Sequence, residues 1–126
     1  MTTFLAGVDG ENTATHLIGY LRDRIDDDDT VYAVNSQRGG SETSDDEIAA
    51  GKIALDQLEA ELDAESHQLV RGNSPQEDML QFARAHEVDE IVIGVRKRSP
   101  TGKMLFGSTA QDLLLETDRP VVTVPR

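Results

Sequence analysis

The residues able to do chemistry are concentrated between Gly94 and Thr109. Within eight positions, Arg96, Lys97, Arg98 and Lys103 supply four of the twelve basic residues of a chain whose net charge is −12. They sit in Gly94-Val95-Arg96-Lys97-Arg98-Ser99-Pro100-Thr101-Gly102-Lys103-Met104-Leu105-Phe106-Gly107-Ser108. An apolar run of strand character, Glu90-Ile91-Val92-Ile93, precedes this segment, and Gly107-Ser108 opens a helical pattern that runs to about Glu116. A strand, a glycine-bearing loop and a helix start form an anion cradle. The first amides of a helix have no partner inside it and carry the positive end of its dipole, so they donate to phosphate oxygens, and glycine admits a close approach. A basic loop also suits plain solubility, but its concentration against an acidic background favours phosphate recruitment.

The standard phosphate motifs do not fit. Gly102-Lys103 has the look of a P-loop end, yet Met104 replaces the required Ser or Thr and Lys97 stands at the first glycine position. No G-x-G-x-x-G follows the first strand, which excludes a dinucleotide fingerprint. There is no G-x-S-x-G elbow, and no histidine pairs with Ser99, Ser108 or Thr109 by spacing. His16, His67 and His86 fall in separate elements without ligand spacing, which points to surface or core packing rather than metal binding. Asp26 to Asp29 lack the alternating ligands and central glycine of a calcium loop and read as a solvated turn.

On the other side of the expected crevice stands Asp9, the one carboxylate directly at the exit of the first strand. In an open parallel sheet, ligands bind beyond the carboxyl ends of the strands where the strand order reverses. If the first and fourth strands are neighbours there, Asp9 and Gly94 face each other. A carboxylate at that point accepts from ribose hydroxyls or an adenine amine. Asp9-Gly10 equally suits a simple turn.

The elements that must position these residues alternate, five strand-like runs with four helical patterns, as in a parallel sheet with crossover helices. Phe4 to Val8 is the first strand, followed by a helix with Ala14, Leu17, Ile18, Leu21 and Ile25 on one face, closed by the four aspartates. Val31 to Val34 is the second strand, and Asn35-Ser36-Gln37-Arg38-Gly39-Gly40-Ser41 reads as a polar loop. Ser44-Asp45-Asp46-Glu47 has capping-box spacing and starts a long helix carrying Ile48, Leu55, Leu58 and Leu62. His67 to Val70 is a weak third strand, and Arg71-Gly72-Asn73 a turn. Ser74-Pro75-Gln76-Glu77 joins a cap, a first-turn proline and a glutamate, with Met79, Phe82, Ala83 and His86 continuing the helix. Ser108-Thr109-Ala110-Gln111 reads as a cap of the same kind, and Val121 to Val124 closes the sheet.

A chain of 126 residues suits a single domain over its whole length. No apolar run approaches the roughly 20 residues that span a bilayer, and no signal segment precedes the first strand, so the expected location is the cytoplasm. With no cysteine, thiol chemistry is excluded. The balance of 24 acidic against 12 basic residues argues against nucleic acid or anionic membrane as partner. Acids spread along the chain, with only Lys52, Lys97 and Lys103 as lysines, suggest a surface suited to high salt, although an ordinary acidic protein has the same composition.

With these residues in place, the chain resembles a universal stress protein domain over essentially its whole length. The resemblance rests on Val8-Asp9-Gly10-Glu11, Val70-Arg71-Gly72, Asp89-Glu90-Ile91-Val92-Ile93-Gly94, Gly107-Ser108 and Arg119-Pro120-Val121-Val122-Thr123-Val124. ATP-binding members typically carry glycine, two residues, glycine, nine residues, then glycine with Ser or Thr. Gly94, Gly107 and Ser108 match, and Lys97 occupies the second glycine position. The resemblance implies an adenine nucleotide alpha hydrolase-like α/β fold, one three-layer domain with five parallel strands in the order 3-2-1-4-5 and four helices. It implies ATP, with or without Mg²⁺, as the ligand. Asp9 would contact ribose or base, Val34 would line the adenine pocket through its backbone, and Gly94, Gly107, Ser108 and Thr109 would hold the phosphates, helped by Arg96, Lys97 and Lys103. It also implies a homodimer through the apolar edge Val121 to Val124. Two outcomes stay open at Lys97: an ion pair replaces an amide contact, or the phosphate site is closed and the dimer is a signalling scaffold. No general base is assigned, so binding rather than turnover is expected, with slow ATP hydrolysis the most that is implied.

Overall fold

The computed structural model describes residues 1–95 and 107–126. Five parallel strands, β1 (Thr3–Gly7), β2 (Thr30–Gln37), β3 (Glu65–Val70), β4 (Glu90–Val95) and β5 (Val121–Pro125), form one sheet in the order β3-β2-β1-β4-β5. The helices are α1 (Glu11–Arg22), α2 (Asp45–Leu62), α3 (Pro75–Ala85) and α4 (Ser108–Glu116), and a single 3₁₀ turn spans Gly40–Glu42. This is the α/β class that the alternation of elements predicts, in the strand order that the resemblance implies.

The two faces of the sheet are sorted by the alternation of strand side chains. Phe4, Ala6, Ala33 and Val92 pack with Ala14, Leu17 and Leu21 of α1 and Leu55, Leu58 and Leu62 of α2. Leu5, Val34, Ile91, Ile93 and Val95 pack on the opposite face with Met79, Phe82 and Ala83 of α3 and Leu113 of α4. Strands buried on both faces read as apolar runs, which is why β1 and β4 stand out in the sequence.

Several boundaries differ from the sequence reading, β3 beginning at Glu65 and β4 running to Val95 among them, and three more have a clear physical reason. The segment from Asn35 to Gln37 is strand, not loop: β2 runs to Gln37 and pairs in register with β3, Asn35↔Gln68 through Gln37↔Val70. Tertiary satisfaction of its polar side chains explains the difference. Asn35 is buried, donates from Nδ2 to the Val8 carbonyl at 2.8 Å, and accepts from Gln37 and Gln68 at 3.2 and 3.1 Å. Helix α2 lies so close that a Cβ on Gly51 would collide with the Asn35 amide. Second, α1 ends at Arg22, with Asp23 as its C-cap, before the aspartate run. Third, Ser108 is the first residue of α4 rather than its cap; Gly107 is the N-cap, with no side-chain cap bond. The other two predicted starts hold, since Ser44 with Glu47 and Ser74 with Glu77 each form a reciprocal capping box.

Among the described residues, no helix is long and apolar enough to cross a membrane.

Candidate functional site

Strand order alone opens a crevice. Helix α1 follows β1 on one face and α4 follows β4 on the other, so the chain diverges between the carboxyl ends of these adjacent strands. A cavity of about 290 Å³ lies there, close to the lower end of the roughly 300–1,000 Å³ typical of small-molecule sites. Asp9, Val34, Gly94, Gly107, Ser108 and Thr109 all line it, so six of the nine sequence-predicted site residues converge. Arg96, Lys97 and Lys103 lie outside the described residues.

The Asp9 side chain is exposed but fixed. Thr13, one turn into α1, donates its hydroxyl to Asp9 Oδ1 at 2.6 Å, and Arg126 Nη2 stands 3.9 Å from Oδ2. Thr13 is buried, and its methyl group packs against Gly94: a Cβ there would lie 2.8 Å from Thr13 Cγ2 and 3.4 Å from Arg126 Cδ. Gly94 is therefore required by packing across the β1–β4 junction as well as by any ligand. Arg126 reaches the rim because its amide donates to the Val95 carbonyl at 2.9 Å, continuing the β4–β5 ladder. The sequence reading missed Arg126 and Thr13. The Thr13 signal was present as a hydroxyl four residues after Asp9, one helical turn away.

Opposite Asp9 stands the start of α4. The first intrahelical bond runs from the Gln111 amide to the Gly107 carbonyl at 3.0 Å, and the N-cap, Gly107, supplies no side-chain cap. Its first turn carries no acidic residue, whereas the first turns of α2 and α3 carry Asp45, Asp46 and Glu47, and Glu77 and Asp78. The first amides and positive dipole end of α4 thus border the cavity, with no acidic residue in that turn.

The third wall is β2. Pairing of β1 with β2 stops at Gly7↔Val34, the Val8 amide donating to the Val34 carbonyl at 3.0 Å. Beyond this point β2 continues alone on that side. Backbone groups alternate sides along a strand, so the Ser36 amide and carbonyl turn the same way as those of Val34, past the end of β1 and into the crevice. Val34 lends the wall its apolar side chain, joined by Pro75, Met79, Ile93 and Ala110.

Behind Ser36 lies Asp78 of α3, which is fully buried. It accepts from Ser36 Oγ at 2.6 Å, Arg71 Nε at 2.9 Å and Asn73 Nδ2 at 3.0 Å. Burial pushes its carboxyl up, but the bonds from Ser36, Asn73 and Arg71 and the Arg71 charge outweigh it and hold the group below its ordinary value. No sequence signal singled out this network.

His16 is exposed, with its ring beside the Asn12 carbonyl, whereas the other two histidines meet. His86 stacks on Phe82 at 3.8 Å between ring centroids, and His67 lies 5.0 Å from the same ring. Among the described residues, Asp26, Asp28 and Asp29 form the one group of three potential metal ligands. They lie away from the crevice, and Asp29 uses its oxygens to accept from the Thr2 and Asp26 amides.

Fold and site define a class: an open parallel α/β domain with a crevice at its switch point, bordered by a helix start. The sequence profile of the universal stress protein family matches residues 1–125, and the chain belongs to that family. A solved universal stress protein from Archaeoglobus fulgidus is 36% identical, with a TM-score of 0.77 and 98% of each chain covered. The structure of the universal stress protein from Archaeoglobus fulgidus in complex with dAMP is 30% identical, with a TM-score of 0.69 and again 98% of each chain covered. A universal stress protein of Mycolicibacterium smegmatis is 46% identical over 48 residues, a match spanning 38% of this chain and 37% of that relative.

Proposed function

We propose that this protein is a dimeric stress-response module that binds an adenine nucleotide, ATP first among candidates, in the crevice between β1 and β4. The observation that carries the reading is the convergence of Asp9 and the Gly107-Ser108-Thr109 helix start on one cavity. The base lies between Val34, Met79 and Ile93, with its polar edge on the Ser36 backbone. The ribose hydroxyls donate to Asp9, and the phosphates rest on the first amides of α4 beside Arg126. The related structure with dAMP supports the same ligand class. Where Mg²⁺ accompanies ATP, it adds charge neutralisation among the phosphate oxygens.

The role is binding rather than turnover. Asp9 is the one carboxylate among the described lining residues, and Thr13 and Arg126 already engage it. Dimerisation is assigned to β5, the sheet edge where Val121, Val122 and Thr123 are half-buried and Leu115 of α4 is 77% exposed nearby in sequence. A monomer in sizing experiments at high salt overturns that assignment.

The function is tested by denaturing purified protein, identifying released small molecules, and titrating ATP with and without Mg²⁺. Retained adenine nucleotide, or saturable binding below millimolar ATP, is expected. No retained nucleotide and no binding at millimolar ATP favours the scaffold instead.

A further inference from the structure

The buried network behind β2 bears directly on what the crevice selects. Asp78 has no exposed surface and receives three donors. Arg71 is half-exposed and pairs with it at 2.9 Å, so charge compensation is built in. An ionised carboxylate only accepts, and a hydroxyl has one hydrogen to give. The Ser36 hydrogen is therefore committed to Asp78 Oδ2, while the Ser36 oxygen retains lone pairs on the wall formed with Val34, Pro75 and Met79. A wall of this kind meets a ligand N–H favourably and a ligand carbonyl unfavourably.

We propose that Ser36, held as an obligate acceptor by Asp78, is a specificity-determining residue that selects 6-amino purine nucleotides over 6-oxo or unsubstituted ones. This rests on the crevice being a nucleotide site and adds a side-chain acceptor to the Ser36 backbone edge. The two contacts take different hydrogens of one amino group. Asp78 acts through Ser36 and is a positioning residue; Arg71 and Asn73 keep it ionised and oriented. The arrangement resembles other sites in which a buried polar group, left unpaired by the wrong substrate, supplies the discrimination.

The experiment is calorimetric binding of AMP and of purine riboside 5′-monophosphate, which keeps the ring nitrogens and lacks only the 6-amino group. The parent protein is expected to bind AMP about tenfold more tightly. In Ser36→Ala the gap narrows to about threefold or less, with the purine riboside affinity little changed, while Ser36→Thr retains the gap. In Asp78→Asn the side-chain amide donates to the Ser36 oxygen and frees its hydrogen to face the crevice. Binding of IMP, whose 6-oxo group accepts, then improves relative to AMP by about fivefold. A gap that survives Ser36→Ala overturns the role of Ser36, and an unchanged IMP-to-AMP ratio in Asp78→Asn overturns that of Asp78. Failure of the parent to bind any of the three nucleotides overturns the adenine-nucleotide reading itself, a result distinct from both.

Discussion

Thr13 holds Asp9 through its hydroxyl at 2.6 Å, while its methyl group occupies the space that a Cβ on Gly94 would need. One buried threonine thereby couples the carboxylate at the end of β1 to the glycine at the end of β4. Gly94→Ala is expected to destabilise the fold by about 1–3 kcal/mol through overpacking. Thr13→Ser, which removes the methyl and keeps the hydroxyl, is expected to restore part of that loss in the double variant. Urea denaturation of the four proteins checks it; strictly additive effects would show that the two positions are uncoupled.

Arg126 should matter for binding and not for stability. Its pairing with Asp9 is 3.9 Å long and the Asp9 side chain is 73% exposed, so loss of the ion pair in Arg126→Ala should change unfolding free energy by under about 0.5 kcal/mol. ATP affinity should fall, by more at low than at high salt, because a phosphate-facing cation is lost. Equal salt dependence in variant and parent would remove Arg126 from the phosphate site.

The two serines at helix starts should behave differently. Ser74 is buried and accepts from the Glu77 amide, so Ser74→Ala should cost about 1 kcal/mol. Ser108 is the first residue of α4 rather than its cap, and Ser108→Ala should leave the melting temperature near that of the parent while weakening nucleotide binding. A comparable loss of stability in both would restore Ser108 as a cap.

Acid should unfold the protein partly through Asp78. Burial raises its carboxyl, but hydrogen bonds from Ser36, Asn73 and Arg71 and the Arg71 charge bring it below the ordinary value of 3.8. The unfolded chain therefore binds the extra proton more readily. The contribution is complete above the unfolded value and disappears as pH falls through the folded one. Stability should be flat in this respect from pH 7 to about 5 and fall below about 4, with a shallower fall in Asp78→Asn, itself less stable at pH 7. Denaturant midpoints between pH 7 and 3 provide the measurement.

Salt tests the surface. With a net charge of −12, self-repulsion weakens as KCl screens it, and the melting temperature should rise with salt. A flat or falling series would return the chain to the ordinary acidic class.

Sequence reading succeeded where a local rule was sufficient. β1 and β4 are apolar because both faces are covered, and the boxes at Ser44 and Ser74 are closed by residues three positions apart. It failed where the answer lay in another element. Asn35-Ser36-Gln37 has loop composition, yet Val8, Gln68, Glu47 and Asp78 stand within reach of its polar groups and make a strand of it. Gly107 and Ser108 exchanged roles because a glycine cap leaves no side-chain signature.

By itself, then, the sequence determined the alternation of elements, the fold class and the glycine positions flanking a crevice, because periodicity and caps act over a few residues. Only the tertiary structure decided which polar groups share that crevice. The pairing of β1 with β4 and of β4 with β5 brings Arg126 to Asp9, and the longer β2 carries Ser36 past the end of β1 to meet Asp78. Those contacts join residues up to 117 positions apart, as Arg126 minus Asp9 gives, and no local pattern encodes a bond formed only when strands find their register.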